Sequence, residues 1–415
     1  MTDRRAFLSL LAGATAAPTL SWGQGAAGKL VVYASAGPEL SWYDADVARA
    51  TLVRRGSVTL PANVQYAWPH ISRRYLYATS SDSASGVGGF VGKTHHASAF
   101  RIDPASGALT PHGAAAPLAS RPIHNTTDRR SEFLLTAYNN PSAVTVHRIN
   151  PDGMIGAEVK QPGPVDAGIF AHQVLLTPDN RLAIVVTRGN DPDKGKPEDP
   201  GALKVYHFRD GVLASGATVT PNGDYGFGPR HIDFHTTQPW IYVSLERQNK
   251  LTMFRREGDA LAPTPAYAKD LLAEPRNVRP RQLGGAVHVH PNGRYVYGIN
   301  RADYRVDFEG KRVFGGGENS LAVFSIDQTT GEPTLIQHAD TQGFHPRTFH
   351  IDPSGRLLVV AHISPMEVRE GSAVMAVPAT LSVFRIADDG KLSYVRRYDV
   401  EIGKAFMWWM GMVQV

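Results

Sequence analysis

The chain has no cysteine among its 415 residues, which excludes disulfide bonds, thiolate-bound metal centres and cysteine nucleophiles. After the N-terminus it also lacks any apolar run near the roughly 20 residues that a membrane-spanning helix needs. With 42% hydrophobic and 20% charged residues, it is neither a polytopic membrane protein nor a disordered chain. Basic residues never form a run of five or six, so the net charge of +5 predicts small anionic ligands rather than nucleic acid as partners.

The N-terminus has the pattern of a twin-arginine export signal. Arg4 and Arg5 precede Phe7 and a short apolar stretch that ends in small residues, with a small-x-small cleavage site at 14–16 and another near 25–27. The apolar stretch of about ten residues is too short for a stable membrane span. We therefore expect residues 1–26 to be an export signal, residues 27–415 to form the mature domain in the periplasm, and no membrane insertion after cleavage.

The rest of the chain is a repeat of short strands separated by turns that are rich in glycine and proline. The unit consists of an apolar strand, a Pro/Asp/Gly turn, a Leu/Tyr/Val strand, a variable loop, a strand ending in Phe-x-Ile, and a final strand. Successive second strands are 44 to 62 residues apart, and their central residues are Tyr33, Tyr77, Leu135, Ile184, Tyr242, Tyr297 and Val359. Seven such copies predict an all-β fold, a seven-bladed β-propeller of four-stranded antiparallel blades.

The first copy begins at Leu30 without an inner strand of its own. Since a blade cannot bury both faces alone, the ring has to close. We expect the segment around Phe406–Val415 to supply the missing strand, so that one domain uses the whole mature chain.

The direction of the strands predicts which polar side chains meet. In an antiparallel blade, the start of the first strand and the end of the second lie on the face opposite the Pro-x-Gly turns. The residues that this rule places at one mouth of the central channel are His172, Arg188, Arg230, His231, Glu246, His288, Arg301, Arg347 and His362. Four long insertions, which we expect to be loops without structure of their own, follow second strands at the same face: 80–97, 189–201, 302–319 and 363–379.

Other residues are excluded from this site. His235 and His290 lie beside the short turns at the far side. His70, His95 and His96 have no acidic partners at metal-ligand spacing, so we predict no metal and no cofactor. The absence of Gly-x-Ser-x-Gly disfavours a serine hydrolase.

Gly228-Pro-Arg-His231, followed by Glu246 sixteen residues after Arg230, resembles the lactonase family of seven-bladed propellers. That family includes bacterial 6-phosphogluconolactonases and fungal 3-carboxy-cis,cis-muconate lactonizing enzymes. The resemblance extends over most of residues 30–415, including Asn300-Arg301 and the closing Met407-Trp408. It implies functional roles for His172, Arg230 and Glu246, and also for Arg301.

These residues suit the hydrolysis of a lactone. Glu246 or His172 is the candidate base that activates water, and Arg230 the candidate donor to an oxyanion or carboxylate. The candidate substrate-binding residues are His231, His288, Arg301, Arg347 and Arg188. Because phosphorylated sugars stay in the cytosol, we expect an unphosphorylated sugar-acid or related lactone. A carboxymuconate-type cycloisomerase or lyase and a non-catalytic binding propeller remain alternatives, and the oligomeric state is not predicted.

Overall fold

The computed structural model describes residues 28–84, 89–193 and 195–415, so the predicted export signal lies outside the described residues. Their secondary structure is almost entirely β, with one short 3-10 helix at Pro221–Asp224. No helix in the described part of the chain is long and apolar enough to span a membrane.

Seven antiparallel sheets surround a central channel, as predicted. From the inner to the outer edge, blades one to three consist of β34 (Met410–Gln414), β1 (Leu30–Ala36), β2 (Glu39–Asp46) and β3 (Thr51–Thr59); β4 (Asn63–Pro69), β5 (Tyr75–Ser81), β6 (His95–Ile102), β7 (Leu109–Pro111) and β8 (Ala116–Pro117); and β9 (Pro122–Thr127), β10 (Phe133–Asn139), β11 (Ser142–Ile149) and β12 (Ile155–Glu158). Blades four and five consist of β13 (Ala171–Leu176), β14 (Leu182–Thr187), β15 (Ala202–Arg209) and β16 (Val212–Val219); and β17 (Pro229–Phe234), β18 (Trp240–Leu245), β19 (Lys250–Glu257), β20 (Ala260–Leu261) and β21 (Tyr267–Asp270). Blades six and seven consist of β22 (Gln282–Val289), β23 (Tyr295–Ala302), β26 (Ser320–Ile326) and β27 (Pro333–Asp340); and β28 (Pro346–Ile351), β29 (Leu357–His362), β32 (Thr380–Ile386) and β33 (Leu392–Asp399).

The C-terminal strand closes the ring. β34 pairs antiparallel with β1, with Val32 opposite Met412, and becomes the inner strand of blade one. This confirms the prediction that the first copy borrows its inner strand from the end of the chain.

Two of the long insertions differ from the prediction. They carry β-hairpins of their own, β24 (Arg305–Phe308) with β25 (Lys311–Phe314), and β30 (Met366–Glu370) with β31 (Ala373–Val377). The expectation that these insertions are structureless loops is therefore wrong. Each hairpin turns at a glycine with positive φ, Gly310 or Gly371. The prediction missed the hairpins because it considered only the strand repeat of the blades and not these turn glycines.

The apolar core lies between blades. Buried side chains of the described residues form seven clusters, each in the interface of two neighbouring blades. A blade therefore buries both of its faces only when its two neighbours are present.

A tyrosine hydroxyl reinforces four of these interfaces in the same way. It donates from the second strand of one blade to a glycine carbonyl in the next blade's outer turn, and the pairs are Tyr33 with Gly107 (2.8 Å), Tyr77 with Gly153 (3.0 Å), Tyr242 with Gly331 (2.9 Å) and Tyr297 with Gly390 (2.7 Å). The acceptor has to be glycine, since at Gly390 (φ +82) a Cβ atom would lie 2.4 Å from the ring of Tyr295. The positions Leu135, Ile184 and Val359 of the other blades have no hydroxyl to donate.

Replacing one of these tyrosines with phenylalanine tests the contribution of the bond. Tyr297→Phe leaves the carbonyl of Gly390 without its buried donor, so we expect a loss of about 1–3 kcal/mol in the free energy of unfolding. Chemical denaturation measures it, with Tyr394→Phe on an exposed part of β33 as the matched control. Equal stability of the two variants would contradict this role.

Candidate active site

A β-bulge at the start of the inner strand recurs in blades two to seven. The register between the first and second strands shifts there. The residues of the first strand that have no partner on the second strand at this shift are Gln65, Ile123, His172, Arg230, Gly285 with Ala286, and Arg347. A bulge re-aims a side chain out of the regular alternation. In three blades the residue at the bulge is an imidazole or a guanidinium, at the same level of the channel.

The carboxylate of Glu246 is the meeting point of three guanidinium groups. Oε2 accepts from Nη1 of Arg188 at 3.0 Å, and Oε1 lies 3.1 Å from Nε of Arg230. Oε1 also accepts from Nη2 of Arg301. Glu246 is 5% exposed, and Arg230 and Arg301 are 1% and 4% exposed, so the cluster is almost fully shielded from water.

Backbone contacts fix Glu246 just after the end of β18. Its amide donates to the carbonyl of Gly228 at 2.8 Å, and its own carbonyl accepts from the amide of Gly284 at 2.8 Å. Nε of Arg301 donates to the carbonyl of Gly284 at 3.2 Å. The carboxylate is thus held by its own blade and by the next one.

The arginines determine the protonation state of Glu246. Burial alone raises the pKa of this carboxyl, but the charges of Arg301, Arg188 and Arg230 outweigh burial and lower its pKa to about 2. Burial, and after it the charge of Arg301, lowers the pKa of Arg230 to about 9, so that its guanidinium stays protonated at neutral pH. Glu246 is therefore a firmly ionised partner of the arginines and a very weak base.

His172 lies beside this cluster as a neutral imidazole. Burial, followed by the charges of Arg230, His231, Arg347 and Arg188, lowers the pKa of His172 well below its ordinary value. Its ring centroid is 5.2 Å from that of His231, whose Nε2 lies 3.4 Å from Nη1 of Arg230. Its buried Nδ1 has no hydrogen-bond partner among the described residues, so it has an unused site for a proton or a ligand.

A relay of polar groups orients Arg301. Arg281 pairs with Asp303, and Oδ2 of Asp303 lies 3.1 Å from Nδ1 of His345. His345 accepts from Nη1 of Arg301 at its Nε2, at 3.1 Å. Burial lowers the pKa of His345 to about 4, so a neutral ring that donates to Asp303 and accepts from Arg301 satisfies both contacts.

Two further arginines lie at the same mouth without a carboxylate partner in the described chain. The guanidinium carbon of Arg347 is 4.4 Å from the ring centre of Trp408, and that of Arg121 is 5.6 Å away. Burial, followed by Arg230, Arg301 and Arg121, lowers the pKa of Arg347 well below its ordinary value. This side of the mouth therefore has unneutralised positive charge.

His288 does not lie at the rim, contrary to the sequence-based expectation. It is opposite Tyr297, four residues before Arg301 on β23, or about 13 Å further down the strand. There its Nδ1 lies 3.5 Å from Oδ2 of Asp233. The prediction failed because β22 begins at Gln282, and Gly284-Gly285 does not have the composition of a strand.

A central cavity of about 230 Å³ extends below the cluster. Tyr66, Gln173 and His231 line its upper part, and Asp233, His288 and His350 its lower part. His231 thus connects the arginine cluster with the interior of the channel.

Of the predicted site residues, the structure brings His172, Arg188, Arg230, His231, Glu246, Arg301 and Arg347 together at one mouth. His362 lies at the end of β29 as predicted, but its Nδ1 is paired with Thr380 in the interior of blade seven. His235 and His290 lie at the far turns, where they bond to carbonyls of the next blade's turn. Within the described ranges, no group of three His, Asp or Glu residues could hold a metal ion.

Comparison with known proteins identifies the family to which the chain belongs. The family model described as "Lactonase, 7-bladed beta-propeller" matches residues 31–368. The chain belongs to this lactonase family. It is 27% identical over 341 residues to the 6-phosphogluconolactonase of Bacillus subtilis, covering 77% of this chain and 85% of the relative. To that of Serratia proteamaculans it is 26% identical over 390 residues, covering 92% and 98%.

A solved structure, the periplasmic gluconolactonase of Pseudomonas aeruginosa, has the same fold. Its TM-score is 0.67 at 21% sequence identity, over 92% of this chain and 99% of that chain. Membership of the lactonase family confirms the predicted fold and the prediction that the chain is an enzyme of the lactone-hydrolase type.

Sequence reasoning missed several residues that lie at or beside this mouth: Arg121, Trp408, His345 and Asp303. Arg121 directly precedes β9, so the strand-direction rule that selected Arg347 would also have found it. Asp303 and His345 are in loops, and the pattern of strands in the sequence does not predict the conformation of loops. Trp408 was noted only as part of the closing Met407-Trp408.

Buried imidazoles make the lactonase sensitive to acid. Burial lowers the pKa of His345, His350 and His362 to about 4 and that of His124 to about 3, against 6.5 in the unfolded chain. Unfolding therefore takes up protons below pH 6.5. The free energy of unfolding should fall from pH 6.5 towards pH 4, by up to about 1.4 kcal/mol per pH unit for each histidine.

Denaturation curves between pH 7.5 and 5 measure this dependence. His350→Gln should reduce its slope, with the exposed His207→Gln as the control. Stability that stays constant down to pH 5 would contradict the prediction.

Proposed function

We propose that this lactonase is a metal-independent periplasmic hydrolase of an unphosphorylated sugar-acid lactone or a related lactone. The observation that carries the proposal is the presence of two groups at one mouth of the channel. One is the neutral imidazole of His172, whose Nδ1 has no hydrogen-bond partner in the described chain, and the other is the protonated, fully buried guanidinium of Arg230. Hydrolysis of a lactone needs a proton acceptor for water and a fixed positive charge for the oxyanion, and these two groups supply them.

In this proposal His172 is the base and Glu246 is a positioning residue. The Glu246 carboxylate is already bound by three arginines, whereas Nδ1 of His172 has no hydrogen-bond partner in the described chain and can accept a proton from water. The charges of Arg230 and Arg347 are among the causes that lower the pKa of His172. An anionic substrate or oxyanion partly neutralises these charges, so that His172 becomes a stronger base when substrate is bound.

The proposed reaction proceeds in two steps. The oxygen of water bonds to the lactone carbonyl carbon while His172 takes a proton from the water, and Arg230 stabilises the resulting oxyanion. The oxyanion then re-forms the carbonyl, the ring C–O bond breaks, and protonated His172 returns the proton to the leaving alkoxide. The product is the open-chain hydroxy acid, and His172 is neutral again.

The periplasmic location rests on the N-terminal pattern around Arg4 and Arg5. Residues 1–26 would be removed as the export signal, leaving 27–415 as the mature enzyme. The structural neighbour from Pseudomonas aeruginosa is a periplasmic gluconolactonase, which agrees with an exported enzyme acting on an unphosphorylated lactone.

Substitution of His172 tests its role as the base. His172→Asn should lower kcat for lactone hydrolysis by roughly 10²–10⁴-fold because general-base assistance is lost. The matched control is His147→Asn, whose imidazole is as buried as that of His172 (5% exposed for both) but is on the third strand of blade three. Initial rates over a panel of sugar lactones, with and without chelator, give the comparison.

Hydrolysis in ¹⁸O-labelled water separates hydrolase from lyase chemistry, since only hydrolysis places the label in the product carboxylate. An undiminished rate in folded His172→Asn would rule out His172 as the base. Ring opening without incorporation of ¹⁸O would favour the cycloisomerase or lyase alternative instead.

The export signal is tested separately. Residues 1–35 are fused to a reporter protein that is active only when it is exported in the folded state, and the fusion should reach the periplasm. Replacing both Arg4 and Arg5 with lysine should abolish this export, because the twin-arginine route recognises the arginine pair and not positive charge alone. Cell fractionation measures the distribution. Delivery that is unaffected by the double substitution would contradict a twin-arginine route.

A further inference from the structure

Arg121, Arg347 and Trp408 form a compact group at the mouth, contributed by three different blades. Arg121 directly precedes β9, Arg347 is at the bulge of β28, and Trp408 lies just before β34. Both guanidinium carbons lie within 6 Å of the indole ring centre, at 4.4 Å and 5.6 Å, which is the range of cation–π attraction. Arg121 is 6% exposed and Trp408 is 9% exposed.

These two arginines differ from the three that bind Glu246. In the described part of the chain neither has a salt bridge, and the buried Nε of Arg121 has no hydrogen-bond acceptor. A buried guanidinium nitrogen without an acceptor is costly, as for Arg121, and the positive charge of the partly exposed Arg347 near the same ring repels it. Burial lowers the pKa of Arg121 to about 10, and Arg121 in turn is one cause of the lowered pKa of Arg347. An oxyanion between them would relieve both costs.

We propose that Arg121, Arg347 and Trp408 form an anion subsite that selects lactones carrying a carboxylate away from the reacting carbonyl. A preference for phosphate would contradict the unphosphorylated substrate proposed above. Cation–π attraction to the indole ring holds the two guanidinium groups beside each other, and their N–H groups then bind the oxygens of the anion. The subsite deepens the proposed function and rests on it, because Arg347 and His172 occupy corresponding bulge positions on two inner strands, at the same level of the channel.

The subsite predicts how substrate charge affects kinetics. A neutral lactone such as gluconolactone leaves Arg121 unpartnered, whereas glucarolactone offers a carboxylate and 6-phosphogluconolactone a phosphate. Arg121→Met removes the charge but keeps much of the apolar stem. It should raise KM for the acidic lactone that the subsite accepts at least tenfold, with kcat changed less than twofold, and leave kcat/KM for the neutral lactone within twofold.

Arg148→Met is the matched control. The guanidinium carbon of Arg148 also lies over an aromatic ring in blade three, 5.4 Å from the centre of Phe133, but at an exposed position on β11. The control should leave the kinetics of all three lactones unchanged. Arg121→Lys, which keeps the charge but not the planar fork, should lie between Arg121→Met and the unmodified enzyme.

Calorimetric titration of the unmodified protein with inorganic phosphate and with glutarate, a simple dicarboxylate, tests the subsite without turnover. If one of the two anions binds the unmodified protein and binds Arg121→Met at least tenfold more weakly, the subsite is supported and the kind of acid it accepts is identified. This conclusion holds even if no lactone is hydrolysed and the proposed function fails. Absence of binding by either anion to the unmodified protein overturns the subsite whatever the variants do. Equal loss of activity on neutral and acidic lactones in Arg121→Met also overturns it, while leaving the hydrolase proposal intact.

Discussion

The contact of the Glu246 carboxylate with Arg188, Arg230 and Arg301 is the interaction on which the mouth of this lactonase depends. Glu246 and Asp191, which also pairs with Arg188 at 3.3 Å, do not neutralise three guanidinium groups, so the cluster keeps a positive charge although it is almost closed to water. Burial, followed by the charges of the arginines, lowers the pKa of His172 and keeps it neutral, and the same arginines keep Glu246 ionised. A single carboxylate thus positions Arg230, the oxyanion donor that we propose.

The ring makes this crowding of like charges tolerable. Each arginine of the cluster comes from a different blade or a different strand, and inter-blade contacts hold these elements in position. The tyrosine–glycine bonds tie second strands to the neighbouring blade, and the pairing of β34 with β1 joins the two ends of the chain. Free energy from seven apolar interfaces can therefore hold charged groups in an arrangement that they would not adopt by themselves.

Most of the architecture could be predicted from the sequence, because blade repeats are encoded locally. Alternating β-branched and aromatic residues mark the strands, and Pro-x-Gly turns mark their connections. The rule of strand direction then brought residues such as His172 and Arg230 to one face, although they are far apart in the chain. It failed for His288 because a glycine pair hides the start of β22. Applied to the residue before β9, the same rule would also have selected Arg121.

The sequence by itself determined the number of blades, the closure of the ring by its last strand and the face on which the polar residues gather, since each of these follows from local periodicity and chain direction. Only the tertiary structure decided which charges are neutralised and which are not. Glu246 carries the same carboxyl group as any other glutamate, but three arginines from three blades make it a weak base. Arg301 and Arg347 likewise cannot be distinguished by residue type. In the described chain, Arg301 forms an ion pair with Glu246, whereas Arg347 contacts Trp408 and has no salt bridge. The burial of these groups and the distances between their charges depend on how neighbouring blades pack. Local sequence patterns do not predict that packing.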